Sequence, residues 1–162
     1  MVRFFIELLG GNNAMAASVY LALEGKGPKS KAIEVAADHA LKEKPDQSSL
    51  LRVILEIAAT NQKARDKLTR WTWGYSPSLP DALLLVNPKT GSEKVLDKSE
   101  VFVYREADFR EIIEANDRLC GYCLHFQWIL QGHIANADNK LVNQLFAVAE
   151  IRERLTRRNS AA

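Results

Sequence analysis

Residues Ala64 to Val86 read ARDKLTRWTWGYSPSLPDALLLV, and this stretch decides the fold because a helical pattern ends in it and an extended one begins. Two tryptophans follow the helical part, then come a loop rich in Gly and Pro and a short apolar run. Glycine and proline interrupt helices, and short apolar runs bounded by them are typical of strands. A boundary of this kind is also where a binding site is expected.

Around this stretch the sequence predicts a mainly α protein, a helical bundle of about five helices with a small β-hairpin between the third and fourth. Apolar residues that recur three and four positions apart indicate the helices. The predicted helices cover residues of about 3–24, 29–43, 48–71, 106–135 and 138–157. The predicted hairpin covers about 82–104, with strands at 82–86 and 101–104 and a turn at 88–91. A chain of 162 residues is expected to form a single domain over 1–162.

Local signals refine the helix ends and the core. The apolar stripe of the first predicted helix is Phe4, Leu8, Ala16, Val19 and Leu23. The stripe of the third is Leu51, Ile54, Leu55, Ala58 and Gln62. Within the first helix, residues 10–13 (GGNN) form helix poorly, which favours a kink or a close helix crossing over a ligand contact. Pro45 is predicted to stop the second helix, and Asp46 or Ser48 to cap the third.

Composition indicates an ordinary soluble globular protein. Apolar residues make up 47% and charged residues 26% of the chain, and the net charge of +2 is too small to indicate nucleic-acid binding by itself. No apolar run is long enough to span a bilayer, and the opening MVRFFIELLGG lacks a signal-peptide cleavage site. Two cysteines are too few for a disulfide framework, so we expect a cytoplasmic protein. Because no apolar run is long enough to span a bilayer, we also expect no membrane partner.

Cys120 and Cys123 form a C-x-x-C motif that has two interpretations. With His125 or His133 the thiols could bind zinc, or they could be a redox pair. However, about a dozen helical residues precede them, so no helix N-terminus lowers their pKa, and no second ligand pair has zinc spacing. We favour two small buried residues on one helix face, and we predict no metal and no cofactor.

A basic cluster near the carboxyl end also has two interpretations. It consists of Arg152, Arg154, Arg157 and Arg158. The cluster could bind phosphate, or it could be favourable charge at a helix C-terminus. Glu150 and Glu153 dilute it, which favours the second interpretation.

The sequence around Arg65 resembles the motif of the HEPN-like proteins, helical bundles often found with toxin–antitoxin and phage-defence systems. Many of these are dimeric, metal-independent ribonucleases, and their motif is an Arg, a polar residue and, a few residues later, a His at the end of a long helix. Arg65 and Asp66 match the first two positions. The window for the His contains Arg70, Trp71 and Thr72 instead.

The order of elements is similar as well, with AMAASVYLAL in a first helix, Trp-Gly after the motif and PDALLL in a strand. The resemblance implies a homodimer, and it implies nucleic acid or nucleotide and a small antitoxin-like protein as partners. It makes Arg65 and Asp66 the candidate catalytic pair.

Without the His, the segment keeps binding chemistry and lacks an obvious proton-transfer group. Arg70 stays protonated and cannot act as a base, although it can hold a phosphate or carboxylate through two hydrogen bonds. Tryptophan rings can stack on a base. The candidate binding residues are therefore Arg65, Asp66, Arg70, Trp71 and Trp73. In the alternative interpretation both tryptophans pack under the hairpin and Arg65 forms a structural ion pair with Asp66.

Three functions follow from these observations. The first is a non-catalytic HEPN-like binding or regulatory module, homodimeric and linked to toxin–antitoxin or defence systems. The second is a metal-independent endoribonuclease in which Arg65 acts with His125 or His133. The third is a zinc or redox protein that uses Cys120 and Cys123.

Overall fold

The computed structural model describes residues 1–10, 13–88, 101–132 and 137–161. Within these residues the chain forms seven helices and three strands, so the mainly helical prediction with a small antiparallel sheet is confirmed and the count of five helices is wrong. The elements are α1 Val2–Leu8, α2 Asn13–Ala22, α3 Lys26–Ala40, α4 Pro45–Arg70, β1 Thr72–Gly74, β2 Leu83–Val86, β3 Val101–Tyr104, α5 Glu106–Gln131, α6 Ala137–Ala147 and α7 Ala149–Ala161.

The chain divides into two compact units. The first unit comprises Met1–Ile57 and Cys120–Ala162, and the second comprises Ala58–Leu119. Helices α4 and α5 therefore each contribute residues to both units. The expectation of a single domain stays a prediction.

The predicted helix 3–24 is two helices, because the chain turns at Gly10. Gly10 has a φ of 58°, a left-handed conformation that side chains with a Cβ rarely adopt and that ends α1. The break changes the helical phase, so Val19, predicted to be in the core, is exposed, and Tyr20 is buried instead. The Tyr20 ring lies 5.5 Å from the ring of Phe5 in α1. Of the GGNN segment, Gly11 and Asn12 lie outside the described residues.

The predicted helix 138–157 is also two helices, which meet at Val148. The Val148 N–H donates to the Leu145 carbonyl at 3.1 Å, a contact one residue shorter than an α-helical bond. The predicted helix 106–135 ends at Gln131 because Gly132 has a φ of 63°. His133 and the rest of 133–136 lie outside the described residues.

The second predicted helix, 29–43, lies three residues earlier than expected, and the third, 48–71, begins three residues and ends one residue earlier. The observed α3 ends at Ala40, and α4 begins at Pro45. Proline suits the first position of a helix, because its missing N–H would have no partner there and its φ is already helical. Pro45 therefore opens α4, where the sequence interpretation placed caps at Asp46 or Ser48.

The core of the first unit forms around the first half of α4. Its fully buried side chains there are Leu50, Leu51, Val53, Ile54 and Ile57. Phe4 of α1 meets Phe126 of α5 edge-on, with ring centroids 5.5 Å apart, and both rings are buried. The predicted stripe continues to Ala58 and Gln62, but these residues are only half-buried.

The second unit contains a three-stranded antiparallel sheet in the order β1-β2-β3. The sheet has one strand more than the predicted hairpin, because Thr72–Gly74 pairs with Leu84–Val86. Residues 89–91 of the predicted turn lie outside the described residues. The guanidinium of Arg105, just after β3, donates to the carboxylate of Asp81, just before β2, at 3.0 Å. Among the described residues, no helix is long and apolar enough to cross a membrane.

Candidate functional site

The last part of α4 carries a line of basic residues beside the sheet. Lys63, Lys67 and Arg70 are spaced by four and three positions, so they lie on one side of the helix. We call these three residues the basic stripe. Lys63 and Arg70 are exposed, and Lys67 is half-buried. Positive charge near the C-terminus of a helix is also favourable for the helix dipole, which stabilises this arrangement in the absence of any ligand.

Lys67 joins the basic stripe to two aromatic rings. Its Nζ lies 4.2 Å from the centroid of the Phe102 ring and 5.2 Å from that of the Trp71 ring. The two rings meet edge to face, with centroids 5.4 Å apart. Ammonium groups are attracted to the faces of aromatic rings at these distances. The three side chains therefore form one contact between α4, β3 and the residue that follows α4.

Trp73 of β1 connects the end of α4 to the sheet. Its indole Nε1–H donates to the carbonyl oxygen of Leu68 at 3.1 Å. The carbonyls of the last helical turn have no partner within the helix, so the indole satisfies one of them. The Trp73 ring stacks on Phe109 of α5 at 5.9 Å, and Tyr104 of β3 meets both rings at 6.2 and 5.6 Å.

These aromatic side chains lie on one face of the sheet. Trp73 pairs with Leu85, which pairs with Phe102, and directly opposed residues point to the same side. We call Trp71, Trp73, Phe102, Tyr104 and Phe109 the aromatic face. Leu85 at its centre is fully buried, whereas Trp73 is 40% and Phe102 37% exposed. The tryptophans thus pack against the sheet, as one interpretation expected, yet the rings remain accessible from solvent.

The predicted binding residues do not all lie on the same side of α4. Arg65 precedes Arg70 by five residues and points about 140° away from it around the helix axis. Asp66 lies one turn before Arg70 and accepts a hydrogen bond from the amide of Gln62 at 2.8 Å. Trp71 and Trp73 therefore belong to the aromatic face. Arg70 belongs to the basic stripe, on the same side of α4 as Asp66, and Arg65 is exposed on another side. Lys63 and Lys67 were not among the predicted binding residues, although their helical spacing to Arg70 is visible in the sequence.

No histidine occurs in the second unit, because the chain has His39, His125 and His133 only. The imidazole of His125, in the first unit, stacks on Trp128 with ring centroids 5.6 Å apart. An imidazole that exchanges protons beside Arg65 would therefore have to come from outside residues 58–119.

The two cysteines lie in the middle of the α5 sequence, away from the helix N-terminus, as predicted. The expectation that both are buried is wrong, because Cys120 is exposed and Cys123 is half-buried. Burial raises the pKa of the Cys123 thiol, which is the opposite of the shift that activates a redox cysteine. Among the described residues, no three His, Cys, Asp or Glu side chains are grouped so that they could hold a metal ion.

Three of the four arginines of the carboxyl-terminal cluster form ion pairs with glutamates. Arg154 lies 4.0 Å from Glu150 and Arg157 lies 3.7 Å from Glu153, each one turn away on α7. Arg158 pairs with Glu56 of α4. Pairing of this kind supports the interpretation of the cluster as helix-end charge.

Comparison with known proteins assigns no family to the chain. No family model matches it, and neither a curated protein nor a solved structure does. The resemblance to HEPN-like proteins stays a prediction, which rests on Arg65, Asp66 and the order of elements.

Proposed function

We propose that this chain is a non-catalytic, HEPN-like binding module of the cytoplasm that forms a homodimer and binds single-stranded nucleic acid. The proposed binding surface is the basic stripe together with the aromatic face, both in the second unit. The observation that carries the proposal is the position of the Lys67 Nζ, 4.2 Å from the half-exposed ring of Phe102. A cation and accessible rings thus share one surface.

Cations beside accessible aromatic rings match the two kinds of group in a single-stranded nucleic acid, which are its phosphates and its unpaired bases. The phosphate backbone is attracted to lysine and arginine, and unpaired bases stack on aromatic rings regardless of sequence. The side chains of Lys63, Lys67 and Arg70 would contact phosphates along about two turns of α4. Phe102 and Trp73 would offer ring surface beside them. Sequence-tolerant binding is expected, because stacking does not distinguish base edges.

A binding role fits these side chains better than cleavage. Arginine stabilises phosphate charge but does not accept a proton near neutral pH. The second unit has no histidine, so the ribonuclease alternative depends on His125 or His133. Association with an antitoxin-like protein follows only from the resemblance and belongs to the same proposal.

The proposal is tested by fluorescence anisotropy with a labelled single-stranded RNA oligonucleotide. Wild-type protein is expected to bind it at low salt, and Lys67→Gln to weaken binding by about tenfold, because it removes both a phosphate contact and the cation beside the rings. Lys31→Gln is the matched control, since Lys31 is an exposed lysine of α3 in the first unit. Equal affinities of Lys67→Gln and wild type would overturn the proposal.

The same samples separate binding from cleavage. We expect the oligonucleotide to remain intact on a denaturing gel after long incubation. Cleavage that disappears in Arg65→Ala would instead establish the ribonuclease alternative.

A further inference from the structure

A groove lies between helices α1 and α3 of the first unit. Its volume is about 740 Å³, which is within the range of pockets that hold small organic molecules. Its floor is apolar, because Phe5 and Leu8 of α1 and Ala36 of α3 line it and are buried. The groove therefore offers a concave apolar surface that a small ligand can enter.

The walls of the groove leave apolar side chains in contact with solvent. Leu9 on the α1 side is 50% exposed, and Val35 on the α3 side is 56% exposed. The α3 wall runs from Pro28 to His39, a distance of about 16 Å along the helix axis. An occupant that covers Leu9 and Val35 would remove their apolar surface from water, which favours binding. The length of this wall suits a linear apolar chain.

The polar groups of the groove determine which charge an occupant can carry. Lys31 and His39 are the ionisable side chains among its described lining residues, which include no Asp or Glu. The Lys31 ammonium donates to the carboxylate of Glu34 at 3.5 Å, and both side chains are largely exposed, so this ion pair is weak. A ligand carboxylate can therefore compete with Glu34 for the ammonium, whereas a ligand cation would meet no carboxylate on the lining.

We infer that the groove between α1 and α3 binds a linear aliphatic carboxylate, with its carboxylate beside Lys31 and its chain along Leu9 and Val35. The size of the groove favours such a molecule over a helix of another protein. A stable protein interface takes about 20–30 residues from each partner, and the described residues that line this groove number nine. The inference concerns the first unit and is independent of the nucleic-acid binding proposed for the second.

Isothermal titration calorimetry with decanoate tests the inference on the whole chain. Wild type is expected to bind decanoate and to bind octanoate about tenfold more weakly, because two fewer methylene groups leave water. Decyltrimethylammonium has a chain of the same length and the opposite charge, so it is expected to bind about tenfold more weakly than decanoate. Equal affinities for the two decyl ions, or no binding of decanoate, would overturn the inference.

Substitutions on the groove locate the ligand. Lys31→Gln is expected to weaken decanoate binding by about tenfold, and Val35→Asp to abolish it, because a carboxylate beside the chain repels the ligand and needs water. Lys42→Gln and Val19→Asp are the matched controls, since both residues are exposed in the first unit and neither is among the lining residues. Both are expected to bind decanoate like wild type.

The variants give clear contrary outcomes. Wild-type affinity in both Lys31→Gln and Val35→Asp would overturn the inference. Weakening by His39→Gln and not by Lys31→Gln would place the carboxylate at the other end of the groove and overturn the assignment of Lys31. If Val35→Asp loses its helical circular dichroism, Leu9→Asp on the opposite wall replaces it.

Sedimentation with phospholipid vesicles distinguishes a free carboxylate from a membrane surface. We expect wild type to stay in the supernatant with vesicles of phosphatidylcholine and with vesicles that also contain phosphatidylglycerol. Sedimentation of wild type with the anionic vesicles that is lost in Val35→Asp would assign the groove to a lipid surface and overturn the inference of a free ligand.

Discussion

Trp73 donates its indole N–H to the Leu68 carbonyl at 3.1 Å, which joins the last turn of α4 to the first strand of the sheet. The same ring stacks on Phe109 at 5.9 Å, so one side chain holds the end of α4, the sheet and the start of α5 together. Trp73 pairs with Leu85, which pairs with Phe102, so these contacts hold the sheet that carries Phe102 beside Lys67, and the proposed binding surface depends on them.

Substitution of Trp73 should separate its hydrogen bond from its packing. Trp73→Phe keeps an aromatic ring on Phe109 and loses the hydrogen bond to Leu68, so we expect a loss of about 1 kcal/mol in the free energy of unfolding. Trp73→Ala also loses the stacking and should cost about 2 kcal/mol or more. Urea denaturation measures both. A Phe variant as stable as wild type would show that the indole N–H contributes nothing.

Glycine substitutions should test the break between α1 and α2. Gly10→Ala is expected to destabilise the chain by about 1 kcal/mol, because the residue has a φ of 58° and alanine disfavours that conformation. The surroundings add no clash, since a Cβ at Gly10 would have no atom within 4 Å.

Gly121→Ala is the control for this substitution. It lies within α5 with equally open space around it, so alanine is expected to stabilise the chain by about 0.5–1 kcal/mol. Thermal unfolding compares the two variants. Shifts of the melting temperature in the same direction would contradict the assignment of Gly10 to a left-handed turn.

The ion pair between Asp81 and Arg105 should be visible in the titration of Asp81. The side-chain hydrogen bond from Arg105 holds the pKa of the Asp81 carboxyl below its usual range. A carboxyl with a lowered pKa in the folded state contributes stability above its unfolded pKa, and that stability is lost as pH falls through the folded pKa.

Arg105→Gln is therefore expected to raise the pKa of Asp81 toward its ordinary value and to reduce the loss of stability on the acid side. NMR titration of the Asp81 carboxyl carbon measures the shift. An unchanged pKa in Arg105→Gln would mean that the ion pair does not persist in solution.

The two thiols should differ in reactivity at neutral pH. Cys120 is exposed, whereas burial raises the pKa of Cys123 and reduces its thiolate fraction. A disulfide reagent should react in a fast and a slow phase, and Cys120→Ser should remove the fast one. A single fast phase from both thiols would instead support a functional pair.

The helical spacing of apolar residues was sufficient to predict the helical regions, and the short apolar run at 82–86 was sufficient to predict strand β2. The GGNN segment indicated the break at Gly10. The exposure of Val19 could not be predicted in the same way, because it follows from the change of helical phase at that break. Strand β1 has three residues, too few to show alternation, and it forms because Trp73 pairs with Leu85. The contact between Lys67 and Phe102 joins residues far apart in the chain, so no local pattern could have predicted it.

The salt dependence of RNA binding tests most directly whether the basic stripe binds the phosphates. The measurement compares substitutions of Arg70 and Arg65, two arginines on different sides of α4. The logarithm of the binding constant falls linearly with the logarithm of salt concentration, by about 0.7 for each phosphate contact with a single strand. Arg70→Gln is expected to make this slope shallower by about 0.7 and to weaken binding of every sequence alike. Arg65→Gln, which removes a charge outside the basic stripe, is expected to leave the slope unchanged. A larger effect of Arg65→Gln than of Arg70→Gln would contradict the proposed surface.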